Sequence, residues 1–410
     1  MPRPAPALAL LLLTALTACG PEGVDRVTLC GRAVLPPDTF SPGPAVGASI
    51  PPVTNGREAP FASVPVQGFS SLIVLDAADG TVLALQDNGF GTRANSADCP
   101  LRWYRLRLHL DFPPRHGGRV EVLAMTPLRA AGGRELKGDE YDPESFVRLD
   151  DGSFWVGEEF GPFLLHFGAD GTLLGEPLPV PVPAGLQPFA RHQEILRTPD
   201  HPDLRSLDDT AAESAANLPR SGGLEGLARN PDGSRLYLAV EKALLDDPDP
   251  LRRLILEFDP VHGLFSGRSW LHRVDQAGVS IAALECVDEH VLILTERDGK
   301  EGREAAIKRI YRVDLHLAGP DGVLPKTLVA DLLDIADPDG FTAAEEGAVG
   351  LGPRYAFPYV TPEGLAVLDA RTLLVACDNN YPFSAGRRPG VPDDNEFIRL
   401  RLPAALDREQ

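Results

Sequence analysis

Helical periodicity is scarce throughout this chain of 410 residues. Its best helical stretch is Asp208 to Leu218, short, polar and Ala-rich, too little to supply the crossovers of a parallel sheet. Basic residues are also few: Lys and Arg number 39 against 59 Asp and Glu, a formal net charge of −20. So negative a chain repels phosphate backbones, which argues against nucleic acid as a partner and suits a cation-loaded site. There is no Ser nucleophile elbow, Walker loop, dinucleotide fingerprint or CxxC zinc pair, so serine and zinc hydrolase chemistry has no support. After the first twenty residues nothing is long and apolar enough to span a bilayer.

The N-terminal residues read as a leader. Arg3 precedes the apolar stretch Ala7 to Leu13, and Leu16-Thr17-Ala18-Cys19 forms a small-residue cleavage site ending in Cys. The box resembles a bacterial lipobox, so residues 1–18 are expected to be a lipoprotein signal peptide, with lipidation at Cys19 and a tether over 19–25. Loss of Arg3 with the leader would take the net charge from −20 to −21. Four cysteines would remain, Cys30, Cys99, Cys286 and Cys377, in a disulfide-permitting compartment with three possible pairings. Cys286 and Cys377 sit in apolar strand contexts that suit a buried free thiol as well as a bridge.

One unit recurs five times: a short apolar strand, a turn usually marked by Asp or Gly, a second apolar strand, then an acid. The copies are GFSSLIVLDAADGTVLALQDNG from Gly68, DPESFVRLDDGSFWVGEEFG from Asp142, GLEGLARNPDGSRLYLAVEK from Gly223, VSIAALECVDEHVLILTERDG from Val279 and TPEGLAVLDARTLLVACDNN from Thr361. Each is followed by an alternating strand such as RWYRLRLHL or RRLILEF, and RVEVLAM, SWLHRV and TLVADLLDI suit outer positions. A repeated β-meander is a propeller blade. The expected fold is therefore all-β, a single propeller of about six blades over residues 26–403 with a short tail at 404–410. RVTLCGRAVL, residues 26–35, is placed to pair with the C-terminal EFIRLRL and close the ring. The Pro- and Gly-rich stretch 36–65 and the stretch 185–222 read as long loops over one face.

The repeat gathers acids. At the end of the second strand stand Asp87, Glu158 or Glu159, Glu241, Glu296 and Asp378, which a radial arrangement would bring to one rim. A second acid opens three units, Glu144, Glu225 and Glu363, about 15 residues before its partner, a spacing that returns to the same end of a hairpin. Ser70 and Ala282 stand where the other units have Glu. Clustered carboxylates hold hard cations, which polarise phosphate. The plainer alternative is that each acid is a solvated strand end or turn-former. Asp87-Asn88-Gly89 and Asp378-Asn379-Asn380 add side-chain carbonyls, although the first also suits a hairpin turn. Among basic residues Arg220 is the best phosphate partner, ahead of Lys242 and Arg297, and His192 is a lesser candidate for acid or ligand.

The segments VPVQGFSSL, DNGFGTRANSAD, FWVGEEFGPFLLHF, DLLDIADPDG and DNNYPFSAGRRPGVPDDNEFIRLRL resemble the bacterial phytase-like family, "esterase-like activity of phytase", in order from about Cys30 to Pro403. The resemblance implies a β-propeller, phosphoric-ester hydrolysis and Ca²⁺ dependence. Glu159, Glu225, Glu296 and Arg220 are then the catalytic candidates. Asp87, Glu144, Glu158, Glu241, Glu363, Asp378 and Asn379 are the metal-ligand candidates. The expected partners are a small-molecule phosphate ester and, through Cys19, a membrane, with the protein acting as an exported monomer. Two other readings stay open: a non-catalytic binding propeller and a Ca²⁺-dependent lactonase or carboxylesterase.

Overall fold

The computed structural model describes residues 24–110 and 117–407. Strands dominate, and the one α-helix among the described residues is Asp209–Ala215, capped by the Asp208 side chain, which accepts from the Ala211 N–H. None of the described helices is long and apolar enough to cross a membrane. The proposed leader and Cys19 lie outside the described residues.

Every copy of the repeat forms an antiparallel hairpin. The first strands are Phe69–Asp76, Pro143–Arg148, Leu224–Arg229, Ser280–Cys286 and Thr361–Asp369, and the second are Thr81–Gln86, Phe154–Glu158, Leu236–Val240, Val291–Arg297 and Thr372–Asp378. Two more strands extend each hairpin to a four-stranded sheet. The outermost strands include Arg119–Pro127, Leu264–Arg273 and Lys326–Asp331. In the last sheet the outermost strand comes from the other end of the chain: Thr28–Leu35 pairs antiparallel with Asn395–Arg401, from Thr28 opposite Arg401 to Leu35 opposite Asn395. A lone parallel bridge, Val34 to Arg119, links this strand to the edge of the first sheet.

The five first strands form a closed ring, each packed against the first strand of both neighbours. The large apolar clusters follow that order. Trp103 meets Phe146 and Phe154 between sheets one and two. Trp155, Leu227 and Leu238 fill the next interface, Trp270, Leu284 and Leu292 the third, Ile293, Leu365 and Val375 the fourth, and Phe69, Leu374 and Phe397 the last. Second strands are buried on both faces because a sheet lies on either side, so residues 82–85 and Leu236–Val240 read as unbroken apolar runs. The described residues thus build a propeller of five blades, fewer than the six expected. The segment 26–35 completes the fifth blade and starts no blade of its own.

Both irregular stretches lie at one end of the ring. Phe61 and Val64 pack with Phe90 and Tyr381, just past the strand ends that carry Asp87 and Asp378. The other stretch runs through the helix to Ser221, which reaches the central cavity. Among the described cysteines Cys99, Cys286 and Cys377 are free thiols, Cys99 and Cys377 buried.

Candidate functional site

The same defect recurs in all five innermost strands. The ladder slips between Phe69 and Ser71, Pro143 and Ser145, Leu224 and Gly226, Ile281 and Ala283, and Thr361 and Gly364. The residues left over at these β-bulges are Ser70, Glu144, Glu225, Ala282 and, beside Pro362, Glu363. A bulge bends a strand and re-aims a side chain, and Glu144, Glu225 and Glu363 all line a cavity of about 260 Å³ on the ring axis. The next residue is small in every blade: Ser71, Ser145, Gly226, Ala283 or Gly364. At Gly226 a Cβ would lie 2.6 Å from the Leu284 Cβ, and at Gly364 one would lie 2.7 Å from the Ala376 Cβ, so the converging strands leave no space there.

Across each hairpin, two residues beyond the partner of the small residue that follows the bulge, stand Asp87, Glu159, Glu241, Arg297 and Asp378. All five line the cavity. Asp142, just ahead of the second blade, joins them; its carboxylate accepts from the Asn88 N–H at 3.0 Å and from Asn88 Nδ2 at 2.7 Å. Eight buried carboxylates therefore converge with two cations, Lys242 and Arg297. Arg297 Nη2 lies 3.0 Å from Glu241, 3.6 Å from Glu225 and 3.7 Å from Glu363. Lys242 Nζ lies 3.2 Å from Glu241 Oε2 and donates to the carbonyls of Arg220 and Ser221.

Crowding in a buried cavity disfavours ionised carboxylates. Burial, then the charge of Asp378 and Asp142, pushes Asp87 well above the usual carboxylate range. Burial again comes first for Glu144, Glu159, Glu225 and Glu363, followed by the neighbouring carboxylates, and all four are raised. Burial lifts Asp142 to about 6 and Asp378 to about 7. Arg297 goes the other way: burial works against its charge, but Glu241, Glu225 and Glu363 outweigh it and hold the guanidinium above its ordinary value.

Five candidate residues are elsewhere. Glu158 is buried facing away from the cavity, accepting from the Gly161 N–H at 2.6 Å and the Phe160 N–H at 3.0 Å, and so closes the turn after its strand. Its neighbour Glu159 is the residue in the cavity. Glu296 likewise points outward, to His272 Nε2 at 2.6 Å and Lys326 Nζ at 2.5 Å, because consecutive strand residues face opposite sides. Asn379 is buried in framework bonds, accepting from the Gly68 N–H and donating to the Asp393 carbonyl. Arg220 pairs with Asp200 at 2.6 Å and Asp209 at 3.1 Å, lining a second cavity of about 530 Å³ that shares Gly91 and Ser221 with the first. His192 is exposed, on a backbone with φ of 58°. Asp142 was missed, although an Asp two residues before Glu144 in the DPES opening was visible. Arg297 was ranked behind Arg220 because its inward orientation depends on register.

A closed ring of sheets with an acidic axial cavity defines a β-propeller with a multidentate carboxylate site. The chain belongs to the Phytase-like family, "esterase-like activity of phytase", whose pattern matches residues 64–381, a span that takes in every carboxylate of the cavity. A relative from Arthroderma benhamiae, described as an uncharacterized secreted protein, is 32% identical over 138 residues, 32% of this chain and 25% of that one. The chain thus matches about a quarter of that relative's length. Among solved structures, the Dos1 propeller aligns over 84% of this chain and 69% of its own at 10% identity, with a TM-score of 0.34. The PQQ-bound aldose sugar dehydrogenase of Streptomyces coelicolor aligns over 93% and 100% at 14% identity, also with a TM-score of 0.34. Likeness at that level identifies no activity.

Proposed function

We propose that this chain is an exported hydrolase of phosphoric esters whose axial carboxylates hold Ca²⁺. The observation that carries the reading is the cavity itself, eight carboxylates from four blades converging with two cations. The donors suit a hard cation: all are oxygen, with no His or Cys among the lining residues. Glu225 and Glu241 are 3% and 2% exposed; Glu225 Oε1 accepts no hydrogen bond, and Glu241 Oε2 meets the Lys242 ammonium. Three carboxylate triples, Asp142/Glu144/Glu159, Glu144/Glu225/Glu363 and Glu159/Glu225/Glu241, each have ligand atoms within 4.8 Å of one another.

Bound there, Ca²⁺ would supply Lewis-acid charge to a phosphoryl oxygen. The protein's own part is to hold that ion with Glu144, Glu159 and Asp142, and to offer Glu225, once ionised, as the carboxylate that takes a proton from the attacking water. Arg220, in the adjoining cavity, would have to exchange its pairing with Asp200 and Asp209 for the rest of an anionic substrate. The relative described as secreted supports export, and the Leu-Thr-Ala-Cys box supports a lipid anchor at Cys19; incorporation of labelled fatty acid, lost in Cys19→Ala, tests the anchor.

Release of phosphate from phytate, p-nitrophenyl phosphate and a glycerophosphodiester, with Ca²⁺ and with a chelator, tests the activity. Release that depends on Ca²⁺ is expected, and none from any substrate in either condition would remove the reading. One observation favours a second reading, a Ca²⁺-dependent lactonase or carboxylesterase. Both cavity cations are already engaged, Arg297 by carboxylates and Lys242 by Glu241 and two carbonyls, so neither is free to clamp phosphate. Lactone turnover without phosphate release would select it.

A further inference from the structure

We infer that Arg297 is a built-in cation filling one of two cation seats, so that the cavity takes a single Ca²⁺, at the corner formed by Asp142, Glu144 and Glu159. The inference rests on the Ca²⁺ reading of this cavity.

Position in the repeat is the first argument. The register places Asp87, Glu159, Glu241, Arg297 and Asp378 at equivalent points of five hairpins. Four are acids and the fourth blade supplies a guanidinium. That blade also lacks an acid at its bulge, where Ala282 stands. It therefore gives the cavity no carboxylate, only a positive charge, and sets that charge between the acids of both neighbouring blades.

Geometry is the second argument. A single nitrogen, Arg297 Nη2, sits 3.0 Å from Glu241, 3.6 Å from Glu225 and 3.7 Å from Glu363. This is where an ion shared by those acids would be. Both other carboxylate triples contain Glu225, whose Oε1 already faces that nitrogen. The Asp142/Glu144/Glu159 triple has no ion-pair contact with Arg297 among the described residues. Its Asp142 is held in place by two hydrogen bonds from Asn88, the kind of outer support that fixes a ligand's orientation. Arginine keeps its proton at any working pH, so this half of the cavity keeps a fixed positive charge whether or not an ion is bound.

Calcium counted by equilibrium dialysis, on the purified mature chain checked for fold by circular dichroism, tests the inference. The parent should bind one Ca²⁺ per chain, Arg297→Lys one and Arg297→Gln two. Glu159→Gln should bind none, and Glu241→Gln, on the arginine side, should keep one. Two ions in the parent, or one in a folded Arg297→Gln, would overturn the inference while leaving the Ca²⁺ reading in place. If Arg297→Gln does not fold, the other pair decides: loss of the ion in both Glu159→Gln and Glu241→Gln would overturn it. No binding by the parent at millimolar Ca²⁺ would overturn the underlying reading and this inference together.

Discussion

Two buried acidic centres in this molecule are built on opposite principles. Glu396, on the third strand of the last blade, is fully buried and fully matched. It receives Arg32 Nε at 2.6 Å, Arg387 Nη2 at 3.1 Å and the hydroxyls of Tyr355 and Tyr359. Burial alone would raise its pKa, but Arg387 and Arg32 prevail and hold it below the usual range. In the axial cavity burial prevails instead, and carboxylates outnumber cations four to one. A matched charge fixes blade to loop, whereas unmatched charges leave binding capacity. The framework and the site can therefore be told apart by how each responds to losing an acid.

The largest effect is expected at the matched centre. Glu396→Gln leaves the buried Arg387 and the half-buried Arg32 without their anion and should cost about 3–5 kcal/mol in urea unfolding. Glu225→Gln in chelator should cost far less, since it relieves repulsion. Equal losses at the two sites would erase the contrast. Next in size is the response to Ca²⁺. An ion that binds only the folded state at a hundred times its dissociation constant adds about 2.7 kcal/mol, read as a rise in Tm. Glu159→Gln should abolish that rise, Glu225→Gln, on the arginine side, should keep it, and both should lose ester turnover with the fold intact. A full rise in Glu159→Gln would make the cavity a solvated rim.

The pH dependence should differ in sign as well. Asp142 and Asp378, lifted to about 6 and about 7, stabilise the fold while protonated, so in chelator stability should fall as pH rises from about 4 to about 7. Glu396, held low, stabilises above the ordinary carboxylate pKa and loses that contribution as pH falls. The Ca²⁺-induced shift in Tm should accordingly widen from pH 5 to pH 8, and a constant shift would count against crowded cavity acids. The smallest change is expected at Asp170, an exposed turn residue bonded only to Thr172, where Asn should leave the Ca²⁺ response as it was.

The repeat made the propeller and most of the rim legible, because apolar second strands and acids at their ends are written in composition and spacing. What escaped was register. Glu158 and Glu159 are adjacent and identical in type, and so are equally good candidates until the hairpin pairing shows which faces inward. The same one-residue step exchanged Glu296 for Arg297, and with it the sign of the charge on the fourth blade. The bulges at Glu144, Glu225 and Glu363 could be guessed from the paired acids, but the bulges at Ser70 and Ala282 carry no such mark. The expected pairing of residues 26–35 with the C-terminal strand is what closes the ring, while the sixth, divergent blade expected beside the five visible units has no sheet among the described residues.

That shared sheet also orders events in time. The fifth blade carries Glu363 and Asp378 but is complete only when Asn395–Arg401 has been made and has found Thr28–Leu35 across almost the whole chain. Pairings so distant in sequence form slowly and late. A ribosome-bound or partly threaded chain has no finished axial cavity, so cation loading waits for the completed ring and draws on whatever compartment the protein folds in.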